Sequence, residues 1–236
     1  MKPVVFAGPS IYGISDTHFS ELDLRPPAAS GDILGAVEGG ARIIGLIDGL
    51  YGDCAAVWHK EILYAISKGV IVAGAASMGA LRAAECNDFG MIGLGEIFQS
   101  YKSGQRVSDA DVAVSHAPSA LQFRPLTTAL VDAEATILKC EQHLDPAKRD
   151  LLLGAARRVH FARRTWRSIA IEAGLGDVHT LLAANAVSIK RHDATRLLVA
   201  LANNDFLPGG HPHFKLQNTM FFDGLFRRHA SDGPPR

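Results

Sequence analysis

The run Val70-Ile71-Val72-Ala73-Gly74-Ala75-Ala76-Ser77-Met78-Gly79-Ala80-Leu81-Arg82-Ala83-Ala84-Glu85 restricts the fold more than any other stretch of the chain. An apolar, β-branched segment is followed at once by small residues and then by strong helix formers. That is the pattern of a buried strand, a tight turn and a helix, with one serine at the turn. Gly74, Ala75, Ala76 and Gly79 keep the backbone around Ser77 bare, so another group can approach it closely. A serine in this position lies beside the N–H groups of the first helical turn. With the helix dipole, those donors suit an oxyanion or another anion. Two roles fit Ser77: an N-cap, the usual duty of serine before a helix, or a nucleophile on an elbow. The hydrolase elbow G-x-S-x-G is half met, because Ala75 stands where its first glycine belongs.

Residues 4–7 and 42–47 read as two more buried strands, ending at Gly8-Pro9-Ser10 and Asp48-Gly49. Helices are predicted at 33–38, capped by Ser30 or Asp32, and at 54–68, capped by Asp53 and closed by Gly69. Alternating buried strands and helices predict βαβ units, hence an α/β fold with a parallel-sheet core over residues 1–126. Open sheets of this kind collect their sites at the carboxyl ends of the strands, here the three glycine-bearing turns just named. Residues 12–30, with Pro26-Pro27, read as loop. Gly90-Met91-Ile92-Gly93-Leu94-Gly95 reads as a turn into a helix at 96–102, since both the G-x-G-x-x-G spacing and a P-loop lysine are missing. From Thr127 the pattern turns helical. Helices are predicted at 129–143, from Asp145-Pro146 onward, through Trp166, Ile169 and Ile171, and at 178–187 and 194–203. Residues 127–230 therefore read as a mostly helical region and 231–236 as a disordered tail.

Equal numbers of acidic and basic side chains argue against a nucleic-acid binder. Cys54, Cys86 and Cys140 form no C-x-x-C pair, which fits a reducing cytosol and no zinc site. No apolar run has the length of a membrane span, so a cytoplasmic protein is expected. His211 and His213 are two metal ligands without a third, and His116, alone, reads as structural. Basic residues crowd the stretch from Lys139 to Arg167. They form either a solvated face or a docking surface for an acidic partner, with Arg157, Arg163, Arg164 and Arg167 as its contacts.

A serine nucleophile needs a base, and His59 and Lys60 lie on the helix before the Ser77 strand. Histidine has the conventional pKa. A lysine serves only if desolvation or a nearby cation pulls its pKa down. Spacing does not choose between them. The N–H groups of Met78 and Gly79 are positioned to hold an oxyanion. Arg82 can bind an anionic group or Glu85 at i+3, and Asp48 stands at a strand end beside the site.

Asp48-Gly49, His59-Lys60-Glu61-Ile62-Leu63 and the Gly74 to Glu85 run resemble the core of TfuA-like proteins. Val5 to Ser10, Gly90-Met91, Gly95-Glu96-Ile97-Phe98, Asp111-Val112-Ala113-Val114 and Pro125-Leu126 fit as well, so the resemblance spans roughly residues 3–135. It implies an accessory protein that works with a YcaO enzyme in thioamidation of a peptide or protein substrate, including ribosomally made, modified peptides. It implies that the YcaO partner uses the ATP and that this chain carries no cofactor. It further implies release of sulfide from a thiocarboxylated ThiS-like sulfur carrier by a Ser-Lys pair, Ser77 as nucleophile and Lys60 as base. Two other readings stand beside it: a non-catalytic adaptor that binds YcaO and substrate, and a phosphate-binding α/β protein.

Overall fold

The computed structural model describes residues 1–15, 19–52, 54–206, 214–217 and 219–232. Five parallel strands form one sheet in the order β2-β1-β3-β4-β5, comprising β1 (Val4–Phe6), β2 (Asp23–Arg25), β3 (Ile43–Leu46), β4 (Ile71–Ala75) and β5 (Ile92–Leu94). This is a doubly wound order whose direction switches between β1 and β3, the crevice where such sheets place their sites. β1, β3 and β4 fall where apolar runs predict them. The two edge strands correct the sequence reading, which has loop at β2 and turn at β5. Each is only three residues long; β2 carries Asp23 and Arg25, and Gly93 sits mid-strand in β5, so neither shows an apolar run.

Alternation along the strands sorts the core into two layers. Val4, Phe6, Ile44, Leu46 and Val72 pack on one face. There they meet α1 (Asp32–Glu38), α2 (His59–Ser67), α3 (Met78–Cys86) and α4 (Gly95–Lys102). Val5, Ile47, Ala73 and Ala75 face the other way, against Ala194, Leu197, Leu198 and Leu201 of α9 (Ile189–Ala202). Helices α5 (Leu130–Lys139), α6 (Pro146–Arg158), α7 (Trp166–Glu172) and α8 (His179–Ala184) enclose a core of their own around Ile137, Leu152, Ile169 and Leu182. The helical half thus has a separate nucleus, yet it sends α9 back to cover the sheet. A last helix, α10 (Met220–Asp232), seats Phe222 and Leu225 beside Leu34. It takes in Ser231, expected in a disordered tail; residues 233–236, His211 and His213 lie outside the described residues.

The helix predicted over 54–68 begins only at His59, and its expected cap, Asp53, lies outside the described residues. The Glu61 carboxylate does the capping. It accepts the Trp58 N–H at 3.1 Å in its own helix and the Gly31 N–H at 2.8 Å at the start of α1. Burial pushes the Glu61 carboxyl up to about 7, against those backbone donors. Its folded value lies above its unfolded one, so its contribution to stability is full at low pH and is lost as pH rises through 7. From pH 4 to pH 9 the stability of Glu61→Gln relative to the parent should therefore rise by about 3 kcal/mol, measured by urea unfolding at each pH.

Candidate functional site

The turn from β4 into α3 is the most constrained piece of backbone in the sheet. Ala76 has φ +68°, the left-handed region that costs a residue with a Cβ. The Ser77 N–H donates to the Ala75 carbonyl at 2.9 Å, closing a three-residue reversal around Ala76. Ser77 stands before the first residue of α3 with non-helical backbone, and its side chain makes no capping hydrogen bond. The capping role is therefore not the one its hydroxyl performs.

The glycines flanking the turn have a mechanical cause. A Cβ on Gly74 would lie 2.1 Å from the Gly79 carbonyl oxygen, and one on Gly79 would lie 1.8 Å from the Leu46 carbonyl oxygen. Only bare backbone lets the first turn of α3 rest on the ends of β3 and β4. That closeness also joins the Gly79 N–H to the Ile47 carbonyl at 3.1 Å. The oxyanion role expected of Gly79 is thus corrected, because its donor is already committed; among the described residues the Met78 N–H makes no such turn or loop bond.

Ser77, only 4% exposed, lines a cavity of about 120 Å³ together with Asp48, Tyr51, His116, Phe161 and Lys190. Asp48 follows β3 and latches the end of β1. Its carboxylate accepts the Gly8 and Ser10 N–H groups, both at 2.9 Å, and the Ser10 hydroxyl at 2.7 Å. Lys190, in the first turn of α9, is buried, and its Nζ donates to the Val112 carbonyl at 2.7 Å. Burial lowers its pKa, opposed by the charges of Asp48 and then Asp132. The Asp132 carboxylate accepts the Lys190 backbone N–H at 3.1 Å and the Ser188 hydroxyl at 2.9 Å, which fixes the start of α9. His116 Nδ1 lies 2.8 Å from the Ala117 carbonyl, a spacing at which Nδ1 is the donor. The Tyr51 hydroxyl is buried without a partner among the described residues, and burial keeps it neutral.

The structure does not bring Lys60 to this cavity. α2 buries Glu61, Ile62, Ala65 and Ile66, which turns Lys60 toward the chain before α10. Its Nζ donates to the Gln217 carbonyl at 2.8 Å and to the Thr219 hydroxyl at 3.0 Å. His59 is likewise engaged elsewhere: Nε2 lies 2.8 Å from Glu85 Oε2. Arg82 takes the i+3 partner, Glu85, at 2.6 Å and also donates to the Val57 carbonyl. His59 thus ties α2 to α3, and Arg82 ties α3 to the chain just before α2.

Among the arginines read as a docking face, Arg163 and Arg167 are exposed and Arg157 pairs with Glu134 at 2.8 Å. Arg164 corrects that reading. It is 3% exposed, its Nε donates to the Ala156 carbonyl of α6 and its Nη1 is buried without a partner among the described residues. Among the described residues no cluster of His, Cys, Asp or Glu could hold a metal ion, and no helix is long and apolar enough to cross a membrane.

Sequence reasoning missed Lys190 and set His116 aside as structural. A signal for the first was present: Ser188 is a good N-cap, and its hydroxyl accepts the Arg191 N–H at 3.1 Å. It starts α9 at Ile189, five residues before the predicted start. A family model described as TfuA-like protein matches residues 48–165. That span includes Asp48, α2, the Ser77 turn, His116 and Phe161, and ends before Lys190. No curated protein matches the chain.

Proposed function

We propose, from the premise that this chain belongs to the TfuA-like family, the thioamidation accessory proteins associated with YcaO enzymes, that it hydrolyses the thiocarboxylate of a ThiS-like sulfur carrier. Ser77 is the nucleophile, and Lys190 takes the place of Lys60 as base. The observation carrying this reading is that Ser77, free of its capping duty, lines one small cavity with a lysine whose pKa burial has lowered. A neutral amine beside a hydroxyl is what a Ser-Lys pair requires.

In the first step Lys190 Nζ takes the Ser77 Oγ proton as Oγ bonds to the thiocarboxylate carbon. The oxyanion that forms has the Met78 N–H and the Tyr51 hydroxyl as donors. The C–S bond then breaks, Lys190 returns the proton to sulfur and hydrosulfide leaves. Water attacks the resulting Ser77 ester, Lys190 takes a proton from it and passes that proton to Ser77 Oγ as the ester bond breaks, and the carrier departs as its carboxylate. The released sulfide serves the YcaO partner, which activates the amide.

The test is to mix the protein with thiocarboxylated carrier and follow free sulfide. Release well above that of the carrier alone, with a carrier adduct mapping to Ser77 by mass spectrometry, is expected. Release no faster than the carrier alone overturns the reading. The rate should also rise with pH as Lys190 loses its proton. Because the Asp48 charge holds that pKa up, Asp48→Asn should move the rising limb to lower pH, read from kcat against pH.

A further inference from the structure

A second cavity, of about 440 Å³, lies against the first, and Pro9, Val114 and Lys190 line both. Ser77 reaches only the inner one. Sites for drug-sized ligands run from about 300 to 1,000 Å³. The outer cavity falls in that range and the inner one far below it. A substrate using both must put a slim acyl end inward and a longer segment outward.

The walls of the outer cavity say what that segment is. Four of its hydroxyls are already engaged: Ser10 Oγ donates to Asp48, Thr127 Oγ1 accepts the Ser115 N–H, Thr165 caps α7 and Ser188 caps α9; Thr128 adds a fifth to the wall. Its one carboxylate, Asp132, is closed by Ser188 and Lys190. Between these polar groups lie apolar side chains, among them Leu126, 57% exposed, and Trp166. Such a lining suits an uncharged chain. The exposed Arg191 lines the cavity, and the exposed Arg124 and Arg167 are chain neighbours of the lining residues Pro125 and Trp166.

We infer that this groove seats the last residues of an extended peptide C-terminus, presented by a carrier body that is acidic around the root of its tail and meets Arg191 and the exposed Arg124 and Arg167. The inference rests on the hydrolase reading for its chemistry, but the groove can be tested apart from it. Ala186 is exposed and lines only the outer cavity, so Ala186→Trp fills the groove without touching the core.

The carboxylate form of the carrier is titrated into the full chain by calorimetry. Ala186→Trp and the double reversal Arg167→Glu with Arg191→Glu should each weaken Kd at least tenfold. Ala186→Trp should raise KM for sulfide release from the thiocarboxylated carrier by a similar factor while leaving hydrolysis of thioacetate, small enough for the inner cavity alone, within about twofold of the parent. Unchanged Kd in both variants overturns the groove, as does equal loss of carrier and thioacetate hydrolysis in Ala186→Trp. A parent that binds carrier through the groove yet releases no sulfide from either substrate leaves the groove standing and defeats the hydrolase reading.

Discussion

Ser77→Ala and Lys190→Met should each lower kcat for sulfide release about 10³-fold, the range seen when a nucleophile or its general base is removed, whereas Lys60→Ala should leave it within about twofold. Methionine keeps the length and apolar stem of Lys190 while deleting the amine. Lys190 is buried, with a carbonyl and two carboxylates around it, so its loss changes both charge and packing. Far-ultraviolet circular dichroism on each variant separates lost chemistry from lost fold. Lys60→Ala carries a different signature: removal of the bonds to Gln217 and Thr219 should speed proteolysis before α10 while the sulfide assay runs on. If Lys60→Ala is as inert as Ser77→Ala, the base has been misassigned.

Gly79→Ala should cost about 4 kcal/mol, near the top of what one substitution does, measured as a shift in the urea midpoint. The added methyl would meet the Leu46 carbonyl at 1.8 Å and its carbon at 2.6 Å. Both are backbone atoms of a central strand and have no rotamer to change. Relief requires α3 to lift, which breaks the Gly79 to Ile47 bond and opens the packing of Met78 and Ala80 beneath it. Gly176→Ala is the control: a Cβ there meets nothing within 4 Å, and the change should stay within about 0.5 kcal/mol.

What could be read from the sequence follows from where the cause lies. Strands β1, β3 and β4 and the Ser77 turn were legible because apolar runs and glycine turns act within a few residues. Their alternation with helices gave a parallel sheet, but not its doubly wound order, which is set by where each helix crosses over. The edge strands were not legible: Asp23 to Arg25 and Ile92 to Leu94 become strands by pairing with β1 and β4, not by their own pattern. Nearness in sequence made His59 and Lys60 candidates and the family resemblance chose Lys60, but the helix face that carries it is fixed by what α2 buries. Lys190 lies far along the chain on a helix whose first turn reads as solvated. Only the packing of Leu197, Leu198 and Leu201 under the sheet carries its amine to the serine's cavity.

The return of α9 has a consequence for the order of events in synthesis. The serine elbow, at residue 77, emerges from the ribosome well ahead of the amine, at residue 190. A nascent chain holding the finished elbow has no base to drive it. On the hydrolase reading, activity switches on only when the late helix docks, so half-made protein would not drain the cell's pool of activated sulfur.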